Sequence, residues 1–180
     1  MIQIRNSVFE TNSSSTHSIA IPKSVSEYSR YMQFEFGEFG WGEEEVDQLD
    51  YFYTALYELY SGEELQQHLN QLEDILSRHG IEYTMADRNI SRFYNCAYID
   101  NASNLRQLVD ELFLDEDKLL RFLTCGLVFT SNDNGGTDGF IERDEEYIER
   151  YDWDLKQCVE EINPFYMKDA DDYEWYYKGN

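Results

Sequence analysis

The sequence predicts an α+β fold. In it, strands near both chain ends form a mainly antiparallel sheet and helices cluster between them. Three observations carry that expectation. Apolar and polar residues alternate at 16–21 and 31–36, and an aromatic run at 173–177 resembles a terminal strand. Apolar residues at three- and four-residue spacing dominate 43–125, which is the helical period. The 180 residues contain only 2 Pro and no Pro- or Gly/Ser-rich linker. We therefore expect one compact domain over 1–180, with a strand-rich arm (1–42), a mainly helical middle (43–125) and an acidic, aromatic strand and loop region (126–180).

In chain order, Ile2–Ile4 and Val8–Phe9 suggest a first strand interrupted near Asn6 and Ser7. Residues 16–21 form a second strand that Pro22 ends, so the polar run 10–15 connects the two. Tyr31–Phe36 reads as a third strand, and Gly37–Gly42 as a glycine-punctuated loop with two large aromatics. Glu43–Glu45 opens a helix to about Tyr60, with Leu49, Phe52, Tyr53, Leu56 and Leu59 as its apolar face. Ser61 caps a second helix over 62–79, with Glu64 at the capping-box position, and Gly80 ends it. Residues 81–84 and 96–99 suggest short strands. Ser103 and Asp115 are N-cap candidates for two more helices. Leu127–Thr130 is a short apolar strand, and 173–177 closes the chain.

Charge divides the sequence. The net charge is −23, yet residues 1–34 hold a net of +1, with Arg5, Lys23 and Arg30 against Glu10 and Glu27. The remainder carries −24. Such a body repels nucleic acid, so autonomous DNA or RNA binding is not expected. Two readings of the charge stay open: solubility alone, or a surface that imitates a phosphate backbone and fills a basic cleft. Aromatics at 16%, with 15 Tyr and 11 Phe, argue against disorder.

The N-terminal residues lack a signal peptide's apolar core, and no apolar run reaches the roughly 20 residues of a membrane span. The expectation is a cytoplasmic protein with no membrane association. Cys96, Cys125 and Cys158 fit no zinc or disulfide spacing and are read as reduced and buried. No residue set has metal-ligand spacing, and no cofactor is expected.

The strongest chemical candidate is the run Glu10-Thr11-Asn12-Ser13-Ser14-Ser15-Thr16-His17-Ser18. If extended, it places Ser13, Ser15 and His17 on one face and Ser14, Thr16 and Ser18 on the other. His17 titrates near neutrality and suits general acid–base work. Arg5, on the neighbouring strand, suits anion stabilisation. That set fits RNA cleavage through the 2′-hydroxyl, or nucleophilic catalysis by Ser14 or Ser15. The competing reading is a hairpin connection whose hydroxyls satisfy backbone groups. Asn132–Gly136 reads as a tight turn, and His68 and His79 as surface residues. Glu142, Asp144, Glu145, Glu146 and Glu149, interleaved with Tyr, form a candidate acidic and aromatic contact surface.

The run Arg5–Ser18 resembles the N-terminal signature of a family of small proteins from Firmicutes, their phages and mobile elements. Phe39-Gly40-Trp41-Gly42 and Ser131-Asn132-Asp133-Asn134 also resemble parts of that pattern. These motifs together touch under a fifth of the chain. Some members, of similar length, are type II-A anti-CRISPR proteins that disable Cas9.

The resemblance implies a Cas9–guide RNA partner inside the host bacterial cell, whose basic channels would take the acidic body. It leaves two mechanisms. One is a stoichiometric nucleic-acid-mimicking blocker. The other is a ribonuclease that truncates the Cas9-bound guide. In the second, His17 is acid or base, Arg5 the phosphate clamp and Ser15 a further catalytic candidate. Glu10, Asn12, Ser14 and Thr16 would position the substrate. A small hydrolase with a Ser/His site is the rival from another class.

Overall fold

The computed structural model describes residues 15–40, 44–89, 97–100, 102–132 and 172–178. Strand β1 (Ser15–Pro22) lies inside a four-stranded antiparallel sheet ordered β4-β7-β1-β8. Its partners come from opposite parts of the chain. Strand β7 (Leu127–Asn132) pairs one side, with His17 opposite Thr130 and Ile19 opposite Val128. Strand β8 (Tyr173–Lys178) pairs the other, with Ile19 opposite Tyr176. Strand β4 (Glu44–Val46) extends the sheet beyond β7.

Two small parallel pairs lie outside this sheet. They join β2 (Tyr31–Phe34) to β5 (Glu82–Met85), and β3 (Glu38–Phe39) to β6 (Tyr98–Ile99). Each parallel pair encloses a crossover that contains helix, as parallel strands require. The expected mixed fold with an antiparallel main sheet is therefore present.

Four α-helices are found among the described residues: α1 (Gln48–Leu59), α2 (Gly62–Arg78), α3 (Arg106–Leu114) and α4 (Glu116–Cys125). The acidic run does not open α1. Glu44–Val46 pairs with β7, and the helix starts after Asp47, whose Oδ1 accepts from the amides of Leu49 (2.9 Å) and Asp50 (3.1 Å). A capping carboxylate sets the first turn, where a run of acids with no capping geometry does not. The interior face of α1 is also wider than the stripe read from sequence. Tyr51 through Leu56 are all buried. A helix apolar nearly all round sits in the middle of a core, and α1 lies against the sheet and the other three helices.

Helix α2 keeps its expected stripe, with Leu65, Leu72, Ile75 and Leu76 buried. Ser61 precedes it without a side-chain capping bond, and Glu64 reaches Arg106 instead. Gly80 ends the helix at φ 67°, where a side chain meets its own carbonyl. Gly80→Ala should cost about 1 kcal/mol of stability in a urea titration. Asp115 caps α4 through Lys118 N (3.1 Å), as expected. Ser103 does not cap α3, because Ala102–Leu105 is a 3₁₀ turn that leads into it.

Two surface expectations change. Cys125 is exposed at the end of α4 rather than buried. His68 is half-buried, stacked on Tyr60 with ring centroids 4.0 Å apart and edge-on to Phe113 at 4.8 Å. The Tyr60 ring gives it an apolar face that one-dimensional spacing did not reveal. Tyr60 also carries the Arg106 guanidinium, 4.7 Å from its centroid.

Candidate functional site

The polar run enters the described structure at Ser15, where β1 begins. Ser15 and Thr16 lie opposite Asn132 and Ser131 of β7. Arg5, Glu10, Asn12, Ser13 and Ser14 lie outside the described residues, as do Glu142, Asp144, Glu145, Glu146 and Glu149. So do Cys96, Cys158, Trp41 and residues 133–136 of the glycine-rich loop.

Of the run, His17 and Ser18 have a described burial; Ser18 is half-buried opposite Phe129 and Tyr177, and His17 is fully buried. Alternation along β1 puts it on the same face as Ile19 and Ile21, and both join the hydrophobic core. His17 itself is 0% exposed. Its Nδ1 lies 2.7 Å from the Tyr51 hydroxyl, and the two rings meet at 47° with centroids 5.7 Å apart. Thr130, its cross-strand neighbour on β7, is also fully buried. Tyr51 comes from the first turn of α1, fixed by the Asp47 cap. Burial pushes the Tyr51 phenol well above its ordinary value, so it keeps its proton. The imidazole tautomer sets which of the two groups donates in this bond.

A second layer holds Tyr51 in place. Phe39 packs edge-on against it at 5.4 Å. Phe39 in turn folds back over Gly37, where a Cβ would lie 2.2 Å from the ring. Gly37 is therefore needed for this close approach. Its amide donates to Thr54 Oγ1 of α1 (3.1 Å), and its carbonyl accepts from Tyr98 N (3.0 Å). The aromatics of 36–39 thus anchor their loop on the core: Phe36 is buried against Tyr53 and Tyr57 at 4.9 and 5.0 Å.

Chemically, this arrangement is an interior hydrogen bond between β1 and α1. Acid–base attack on a polymer needs an imidazole face that substrate reaches, and His17 presents none to solvent in this structure. Tyr51 was the residue sequence reading missed. Its signal was its place between Leu49 and Phe52 of the apolar face of α1, visible only once that helix is known to be central.

The surface has a different character. Arg30 pairs with Glu27 (2.6 Å), and Arg78 with Asp74 (2.9 Å) and Glu116 (2.8 Å). Arg106 pairs with Glu64, Lys118 with Glu174 (2.7 Å), and Arg121 with Asp117 (2.8 Å). By contrast Glu45, Glu58, Glu63, Glu73 and Glu82 are exposed and make no ion pair among the described residues. Most of the described cations are paired with carboxylates, Arg88 being exposed without an ion pair among the described residues, and the outward charge is mainly carboxylate.

Among the described residues no group of His, Cys, Asp or Glu is placed to hold a metal ion. No helix among them is long and apolar enough to cross a membrane. No protein-family model, curated protein or solved structure matches the chain.

Proposed function

We propose that the protein is a stoichiometric inhibitor of a nucleic-acid enzyme, and that its target is the Cas9–guide RNA complex. The observation that carries this reading is the sorting of charge. Five of the described cations are locked in ion pairs with carboxylates, while exposed glutamates on α1, α2, β4 and β5 stay uncompensated. A surface of that kind competes for a cleft built to hold phosphates. The choice of Cas9 rests on the resemblance of residues 5–18.

Burial of His17 against Tyr51 favours the blocker over guide-RNA cleavage. The imidazole then serves the fold, and inhibition depends on charge and shape.

The test is to incubate the protein with guide RNA, with and without Cas9. The guide is then resolved on a denaturing gel and target-DNA cleavage is assayed. The expected result is intact guide with DNA cleavage blocked near one inhibitor per Cas9, and weaker complex formation as salt rises. A guide shortened only when Cas9 is present would overturn the blocker in favour of the nuclease. Intact guide with normal DNA cleavage would remove Cas9 as the partner.

A further inference from the structure

A groove of about 450 Å³ lies between α1, α2 and the segment that runs from the end of β5 to Asn89. Its size falls within the range of side-chain and small-ligand pockets. Tyr53, Tyr57, Leu65, Leu69 and Met85 line its walls, and Glu73, Asp87 and Arg88 stand on its exposed rim. We propose that this groove receives an arginine side chain of a protein partner. The choice of a partner's side chain over a free metabolite rests on the docking reading above.

Three features select guanidinium. First, the rings of Tyr53 and Tyr57 and the side chains of Leu65, Leu69 and Met85 stand among its lining, beside polar Gln66 and Asn89. A guanidinium is planar and weakly hydrated on its faces, so it tolerates such walls far better than a compact ammonium does. Second, the rim supplies carboxylates. Glu73 makes no ion pair among the described residues. Asp87 is held in place by bonds from its own loop, accepting from Asn89 N (2.7 Å) and Nδ2 (3.0 Å).

Third, the two carboxylates act on the groove wall. The Tyr53 hydroxyl donates to the Ala86 carbonyl (2.8 Å) at the groove wall. Burial, then Tyr57, then the charges of Asp87 and Glu73 push that phenol far above its ordinary value. An anionic ligand would meet the same two carboxylates and be repelled.

Arg88 is the opposing charge on the rim. It is exposed and makes no ion pair among the described residues. It sets a sign test. If the groove takes a cation, removing Arg88 strengthens binding; if it takes an anion, removal weakens it.

The experiment is an amide-shift NMR titration of the full chain with N-acetyl-arginine N-methylamide, beside its lysine and glutamate counterparts. The arginine compound should shift amides near Tyr57, Leu69 and Asp87 and saturate, the lysine compound should bind more weakly, and the glutamate compound should leave them unmoved. Glu73→Lys, an exposed change, should weaken arginine binding about tenfold, and Arg88→Gln should tighten it about threefold. No saturable response, equal response to glutamate, or weaker binding by Arg88→Gln would overturn the proposal.

The same variants are then tested for Cas9–guide RNA binding. Normal Cas9 binding by Glu73→Lys would also overturn the proposed use of the groove and leave the docking reading standing. Arginine-selective binding by a wild-type chain that ignores Cas9 would uphold the groove and remove that partner.

Discussion

Replacing His17 with alanine should lower the unfolding free energy by about 3–5 kcal/mol, the largest single effect expected in this molecule. Two costs add. The imidazole fills space between β1 and α1, and its removal leaves a void lined by core side chains. Its removal also strands the Tyr51 hydroxyl, which is buried and hydrogen-bonded to Nδ1 at 2.7 Å. Tyr51→Phe separates the two terms. It keeps the ring and removes the hydroxyl, so it should cost about 1–3 kcal/mol. In a double-mutant cycle with His17→Ala, the penalties should fall short of additive by about 1 kcal/mol or more, because one hydrogen bond is lost once.

The measurement is urea unfolding followed by tryptophan fluorescence for the four proteins. An unchanged midpoint for His17→Ala would mean that the imidazole carries none of the fold, and the nuclease role would regain its argument. The same series bears on inhibition. Under the blocker reading, Tyr51→Phe inhibits Cas9 fully at temperatures where it is folded, since its change is internal.

Much of the scaffold was legible because its signals are local. Alternation over 16–21 located β1, the leucines of 62–79 located α2, and Asp115 and Gly80 marked helix ends through their own backbone chemistry. What was not legible depended on partners distant in the chain. Glu44–Val46 reads as a helix start by charge, yet β7, more than eighty residues away, supplies ladder partners that make it a strand. Tyr51 falls outside the apolar stripe read for that helix, yet α1 is covered on nearly all sides. Helix propensity and period cannot report how many sides of an element other elements will cover.

The candidate site divides along the same line. The alternation that put His17 on one face of a strand was correct in geometry and silent about direction. The face shared with Ile19 and Ile21 points into the core, so a polar residue there needs an internal partner. Spacing within a motif cannot distinguish a histidine aimed at substrate from one aimed at a buried tyrosine. The charge argument was more portable. Net charge needs no direction, and the structure adds only which charges are spent on each other.

Arg121→Met should produce the second large effect, about 2–3 kcal/mol, and should act on the outermost strand of the sheet. Arg121 is buried on α4 and donates to the Pro22 carbonyl at the end of β1. Its Nε pairs with Asp117 at 2.8 Å, and its terminal nitrogen lies 3.4 Å from Glu174 of β8. Lys118 reaches the other Glu174 oxygen at 2.7 Å and sits over the Tyr176 ring at 4.9 Å. Together with the bond from Lys23 N to the Asp172 carbonyl (2.8 Å), these contacts fasten β8 to β1 and α4. Methionine keeps the apolar stem but leaves the Pro22 carbonyl without its donor. Amides of 173–178 should then exchange with solvent faster than those of β7, which the variant does not touch.

The acid limb of stability should change with it. Burial raises the Glu174 carboxyl, but the Lys118 bond and the charges of Lys118 and Arg121 outweigh burial and hold it below its ordinary value. The Tyr28 hydroxyl and then Arg121 hold Asp117 down, and that bond to Asp117 pushes the Tyr28 phenol up to about 12. A carboxylate with a depressed folded value contributes stability that is complete above its unfolded value. That contribution is lost as pH falls through the folded one. Wild-type stability should therefore decline from about pH 5 downwards, and the gap to Arg121→Met should narrow over the same range as both carboxylates protonate. A gap that stays constant from about pH 7 to about pH 2 would assign the Arg121 effect to its bond to the Pro22 carbonyl and its packing, with no share for the carboxylates.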